Sequence, residues 1–115
     1  MILVEDYVAE PGEAVEIVKA AVAAIFTVPI DELYAPTRCR AEVALARQSA
    51  MYLAHVALGL NFTDVGRAFG RDRTTAAHAC RTIEDRRGHA ELDARLAELE
   101  HALRRDLGAR CGAAS

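Results

Sequence analysis

Residues 59 to 84, GLNFTDVGRAFGRDRTTAAHACRTIE, hold two helix-start signals separated by a tight turn, and few folds accommodate that pattern. Gly59 closes whatever helix precedes it. Asn61 is a good N-cap with Asp64 three residues on, a variant of the capping box, and it opens a short helix through Phe69. Phe62, Val65 and Phe69 give that helix a buried side. Gly70 then supplies a turn and Asp72 a second cap, after which Ala76, Ala79, Cys80 and Ile83 recur as one apolar stripe. Two short helices joined this way predict a helix-turn-helix over about residues 61 to 87.

The flanking chain is helical by the same reasoning. Val15, Val18, Val22, Ile25 and Phe26 recur at helical spacing from Glu13 until Thr27, Val28 and Pro29 end the pattern. Asp31 to Tyr34 is at most one further turn before Pro36. A long helix is expected from Ala41 to Leu58, with Val43, Ala50, Met51, Ala54 and Leu58 inward. Leu92, Leu96, Leu99, Leu103 and Leu107 follow three-four-four spacing on an amphipathic C-terminal helix. That stripe needs a cover, either the first helix of the same chain or a second copy in a homodimer. With 115 residues, 52% hydrophobic, no Trp and three Pro, the chain reads as one small all-α domain. Its expected parts are an N-terminal arm (1–12), the helical domain (13–107) and a tail (108–115).

Several functions are disfavoured. No apolar run reaches the length of a membrane span and the start MILVEDYV lacks a basic leader region, so no membrane partner and a cytoplasmic, nucleoid-associated location are expected. Cys39, Cys80 and Cys111 have no CxxC spacing, so no metal is expected, and Cys80 reads as a small buried hydrophobe. His55, His78, His89 and His101 are scattered without a metal or nucleophile pattern, and no Gly-rich phosphate loop occurs, so neither an enzyme nor a cofactor is expected.

Net charge is −3, but its distribution points elsewhere. Residues 1 to 36 hold seven carboxylates and one base, whereas residues 37 to 87 hold nine arginines against five carboxylates. The basic surplus sits on the helix-turn-helix, where phosphate contacts would be needed. Around the apolar stripe of the second helix, Arg73, Thr74, Ala77, His78 and Arg81 should face outward. Arg can fork onto guanine and Thr can bond a base or meet a thymine methyl, so this helix is suited to the major groove of double-stranded DNA.

The segments LARQSAMYL (45–53), VGRAFG (65–70) and RDRTTAAHA (71–79) together resemble the C-terminal DNA-binding domain of the bacterial replication initiator DnaA, with the family's spacing kept apart from one glycine. The likeness extends from about Val15 to Arg87. It implies that Arg71 and Thr75 help hold phosphates, that Asp72, Arg73 and Thr74 face bases, and that His78 lies beside the backbone. It further implies that Arg47 anchors the long helix to a phosphate and that Arg38 and Arg40 enter the minor groove. Five positions depart from the pattern: Arg73 replaces His, Leu45-Ala46 replaces Arg-Pro, Cys39 interrupts the basic loop, and His55 stands where Arg or Lys is usual. The expected function is a stand-alone reader of double-stranded DNA that regulates replication initiation or transcription. The alternative is a protein-interaction module whose partner is the replication initiator or its AAA+ regulator.

Overall fold

The computed structural model describes residues 11–34 and 41–113, with side chains over 12–33 and 41–106. Residues 1–10 of the expected arm, the basic link with Arg38, Cys39 and Arg40, and the side chains of Leu107 and Cys111 lie outside those residues. Six helices and no strand occur among the described residues: α1 (Pro11–Phe26), α2 (Ile30–Tyr34), α3 (Ala41–Val56), α4 (Phe62–Ala68), α5 (Arg73–Arg86) and α6 (Ala90–Ala113). The all-α expectation therefore holds. Helix α1 opens two residues earlier than expected, at Pro11, because a proline in the first turn brings a preset φ and gives up an N–H that would have no helical partner anyway.

Each helix stops for a local reason. Helix α1 ends at Thr27, whose φ of 55° is the left-handed region, with the Val28 amide turning back onto the Ala23 carbonyl at 3.0 Å. A β-branched residue rarely adopts that backbone, and the core contact of Val28 holds it there. Helix α3 ends two residues before the expected Leu58. There the Ala57 and Leu58 amides both return to the Leu53 carbonyl, and Gly59 turns the chain at φ 73°.

Helix α3 lies at the centre, against α1 on one side and α5 on the other, and α4 packs across α5. All of the apolar positions expected inward on α1, α3, α4 and α5 are buried except Ile25, Leu58 and Phe62, which are half-buried. Cys80 is buried as expected, its Sγ 3.9 Å from the Met51 carbonyl, and burial followed by the nearby Glu84 charge pushes its thiol up to about 11. A thiol so placed stays protonated and inert near neutral pH.

The leucine stripe of α6 is covered by α1. Leu92, Leu96, Leu99 and Leu103 are all buried, and the Arg95 guanidinium lies 5.0 Å from the Phe26 ring centre. These four leucines are thus spent inside the chain, and the seam that their spacing offered to a second copy is filled. The turn from α5 into α6 is tied by Arg87, which donates from Nε to Asp93 at 3.0 Å and from a terminal nitrogen to the Tyr52 hydroxyl at 3.1 Å. Among the described residues no helix is long and apolar enough to cross a membrane, and no cluster of three or more His, Cys, Asp or Glu side chains could hold a metal ion.

Candidate nucleic-acid interface

Helix α5 is presented to solvent by three devices that the sequence builds locally. The first is its cap. The Asp72 carboxylate accepts the Thr75 amide at 2.8 Å, which fixes where the helix begins and meets the positive end of its dipole. That hydrogen bond holds the Asp72 carboxyl below the usual carboxylate range. Because its folded pKa is depressed, the stability contributed by the cap is fully present above the unfolded value and is lost as pH falls through the folded one. Asp72→Asn should keep a cap at neutral pH yet flatten the acid-side loss of melting temperature. Thermal melts taken from neutral to acidic pH check this, and identical pH profiles for both proteins would contradict it.

The second device is the turn. Gly70 has φ 67°, and the Arg71 amide donates to the Gly66 carbonyl at 2.7 Å, closing α4 onto the start of α5. The third is a close backbone approach at Gly66 itself. A Cβ placed there would come within 2.7 Å of the Arg71 and Asp72 carbonyl oxygens. Only glycine lets α4 sit this near the entry to α5. Helix α4 carries its own cap, with the Asn61 side chain accepting the Asp64 amide at 2.8 Å, as the sequence predicts.

With Ala76, Ala79, Cys80 and Ile83 turned into the core, α5 exposes Arg73, Thr74, His78 and Arg81, with Ala77 half-buried between them. Thr75 and Asp72 are exposed at the helix start and Arg71 is half-buried beside them. Six of the nine expected site residues, Arg71 to Thr75 and His78, therefore gather at the N-terminal end of one helix. Arg67 on α4 adds an exposed cation next to the turn. Farther along, the exposed Glu84 and Asp85 stand beside the exposed Arg81 and Arg86 and make the C-terminal half of α5 mixed in charge.

Arg47 stands apart from this group. It is half-buried, and its guanidinium donates to the Leu33 carbonyl at 3.1 Å and to the Glu32 carbonyl at 2.9 Å, closing off the end of α2. His55 is likewise drawn into the fold. Its Nδ1 lies 2.7 Å from the Leu60 carbonyl and its ring stacks on Phe62 with centres 4.3 Å apart. The departure from Arg or Lys at this position therefore builds the α3–α4 corner. Sequence reasoning also passed over Gly66 and Lys19. The glycine's role follows from a contact with carbonyls five and six residues on, and the lysine gave no signal of burial.

The comparisons with known proteins agree with this geometry. Residues 15–83 match the family model described as the bacterial DnaA protein helix-turn-helix. The chain is 36% identical over 111 residues to the chromosomal replication initiator protein DnaA of Sphingopyxis alaskensis, covering 90% of this chain and 24% of that protein. It is 40% identical over 73 residues to DnaA 2 of Chlamydia trachomatis serovar D, covering 64% of this chain and 16% of that one. Against DnaA of Paraburkholderia phymatum the figures are 38% over 93 residues, with 79% and 18% covered. The chain spans a quarter or less of the length of these relatives. With the matched segment running from α1 through the stripe of α5, the chain belongs to the bacterial DnaA helix-turn-helix family.

Proposed function

We propose that this chain reads double-stranded DNA by laying the N-terminal turns of α5 in the major groove, and that it regulates replication initiation or transcription by occupying its sites. The observation that carries this reading is the outward set Arg73, Thr74, His78 and Arg81 on a helix whose opposite face is wholly spent on the core. Family membership supports DNA binding through this helix-turn-helix. In the proposed complex Arg73 and Thr74 reach base edges, Asp72 fixes the helix start beside them, Arg71 and Thr75 hold phosphates at the helix N-terminus, and His78 lies along the backbone. Arg38 and Arg40 enter the minor groove. Arg47 acts by holding the end of α2 from which the basic link departs.

Arg73→Ala should relax preference at one base position and cost about 1–3 kcal/mol on the preferred duplex. Fluorescence anisotropy on a duplex carrying an initiator box and on scrambled duplexes, over a salt series, measures this. An equal loss on every sequence would remove Arg73 from base reading.

A second reading has one observation in its favour: Arg47 and His55, which the resemblance sets in the family's DNA-facing set, are engaged inside the fold. Fewer phosphate contacts and a net charge of −3 suit a module that binds the replication initiator or its AAA+ regulator instead. On that reading, capture of those proteins survives Arg73→Ala and Thr74→Ala and the duplex is not bound at low salt.

A further inference from the structure

The chain has one lysine, and it is inside. Lys19, on α1, is 1% exposed, and its ammonium donates to the Ala68 carbonyl at 2.8 Å. It also lies 4.6 Å from the centre of the Phe69 ring and 3.4 Å from a Glu16 carboxylate oxygen that stays in solvent. Ala68 is the last residue of α4 and Phe69 its C-cap, so the charge sits at the negative end of that helix. Desolvation by burial holds the ammonium below the usual lysine range, against the pull of Glu16.

A lysine is among the residues least often buried, and taking its ammonium out of water costs desolvation that apolar packing does not repay. Packing alone therefore does not account for its presence. What its bond does account for is position. Helix α4 spans only seven residues and is capped by Phe69, which lacks the left-handed conformation of a glycine cap, and three residues later Asp72 must cap α5. The Ala68 carbonyl is fixed by a cation from a helix 49 residues earlier in sequence. Gly66, Arg71 and Asp72, whose backbones touch, hang from that same end of α4.

We infer that Lys19 is a positioning residue: its ammonium pins the C-terminal end of α4 to α1 and so sets the angle at which the helix-turn-helix presents α5. The inference deepens the DNA reading and rests on it only for its binding arm.

The test compares Lys19→Met, which keeps the length of the side chain and removes its charge, with Lys19→Arg, which keeps the charge and the donors. Lys19→Met should leave global stability unchanged or raised while the amides of Phe69, Gly70 and Arg71 exchange about tenfold faster or more, the fold-change implied by losing a charge-assisted hydrogen bond. Affinity for the preferred duplex should fall with that loss of protection, and Lys19→Arg should restore both. Unchanged protection at those three amides, or loss spread evenly over α3 and α6 as well, overturns the inference. Should Lys19→Met not fold, selective ¹⁵N labelling of the single lysine in the unsubstituted protein decides instead. A slowly exchanging ammonium resonance is expected, and one exchanging as in a free peptide refutes it. The exchange readouts need no DNA, so a wild-type protein that ignores every duplex would sink the DNA reading without touching them.

Discussion

Leu99→Ala is expected to cost about 2–5 kcal/mol, the range for truncating a fully buried leucine. Leu99 has no exposed surface and lies in the middle of the stripe that joins α6 to α1, with Leu96 and Leu103 to either side and equally buried. A domain this small has total stability of only about 5–15 kcal/mol, so the substitution removes a large share of it. Urea denaturation followed by circular dichroism measures the loss. The same experiment asks who covers the stripe. With α1 as the cover, the midpoint is independent of protein concentration, whereas a seam between two copies makes it rise with concentration by mass action. A concentration-dependent midpoint, or a loss well under 1 kcal/mol, would contradict the packing described above.

Gly66→Ala is the second large effect. The new methyl would meet the carbonyl oxygens of Arg71 and Asp72 at 2.7 Å and the Asp72 carbonyl carbon at 2.8 Å. All three are backbone atoms, which cannot swing away as the tip of a side chain can, so α4 and the start of α5 must part. Overpacking of this kind costs about 1–3 kcal/mol. The relief movement lies directly under Arg71 and Asp72, so duplex affinity should fall more than tenfold even in protein that remains folded, about 1.4 kcal/mol per decade. Melting temperature and anisotropy on the same preparation separate the two effects. Wild-type affinity in a destabilised Gly66→Ala protein would show that the approach of α4 to α5 does not govern presentation.

Most of the helix-turn-helix was legible because its signals are local. Asn61 and Asp72 act on amides three residues away, Gly70 acts at its own φ, and the stripe from Ala76 to Ile83 expresses helical period alone. Less legible are the side chains whose partners only the folded chain brings to them. Arg47 meets two carbonyls only once α2 packs beside α3, and His55 meets its partners only once the corner at Leu60 and Phe62 closes around it. Lys19 is the clearest case. Nothing in the spacing of α1 distinguishes it from an exposed lysine, since its partner is 49 residues away. The covering of the α6 stripe lay between these extremes, because its spacing required a cover without specifying which.

The outward face and the core share helix α5 without sharing side chains. Arg73, Thr74, His78 and Arg81 point to solvent, while Ala76, Ala79, Cys80 and Ile83 hold the helix in place from behind. Mutation can therefore explore the outer four positions with little consequence for folding. A lineage carrying this scaffold is free to change that outward face one residue at a time, each intermediate remaining a folded protein. Arg73, which the resemblance sets against a histidine in the family, is the kind of change such an arrangement permits.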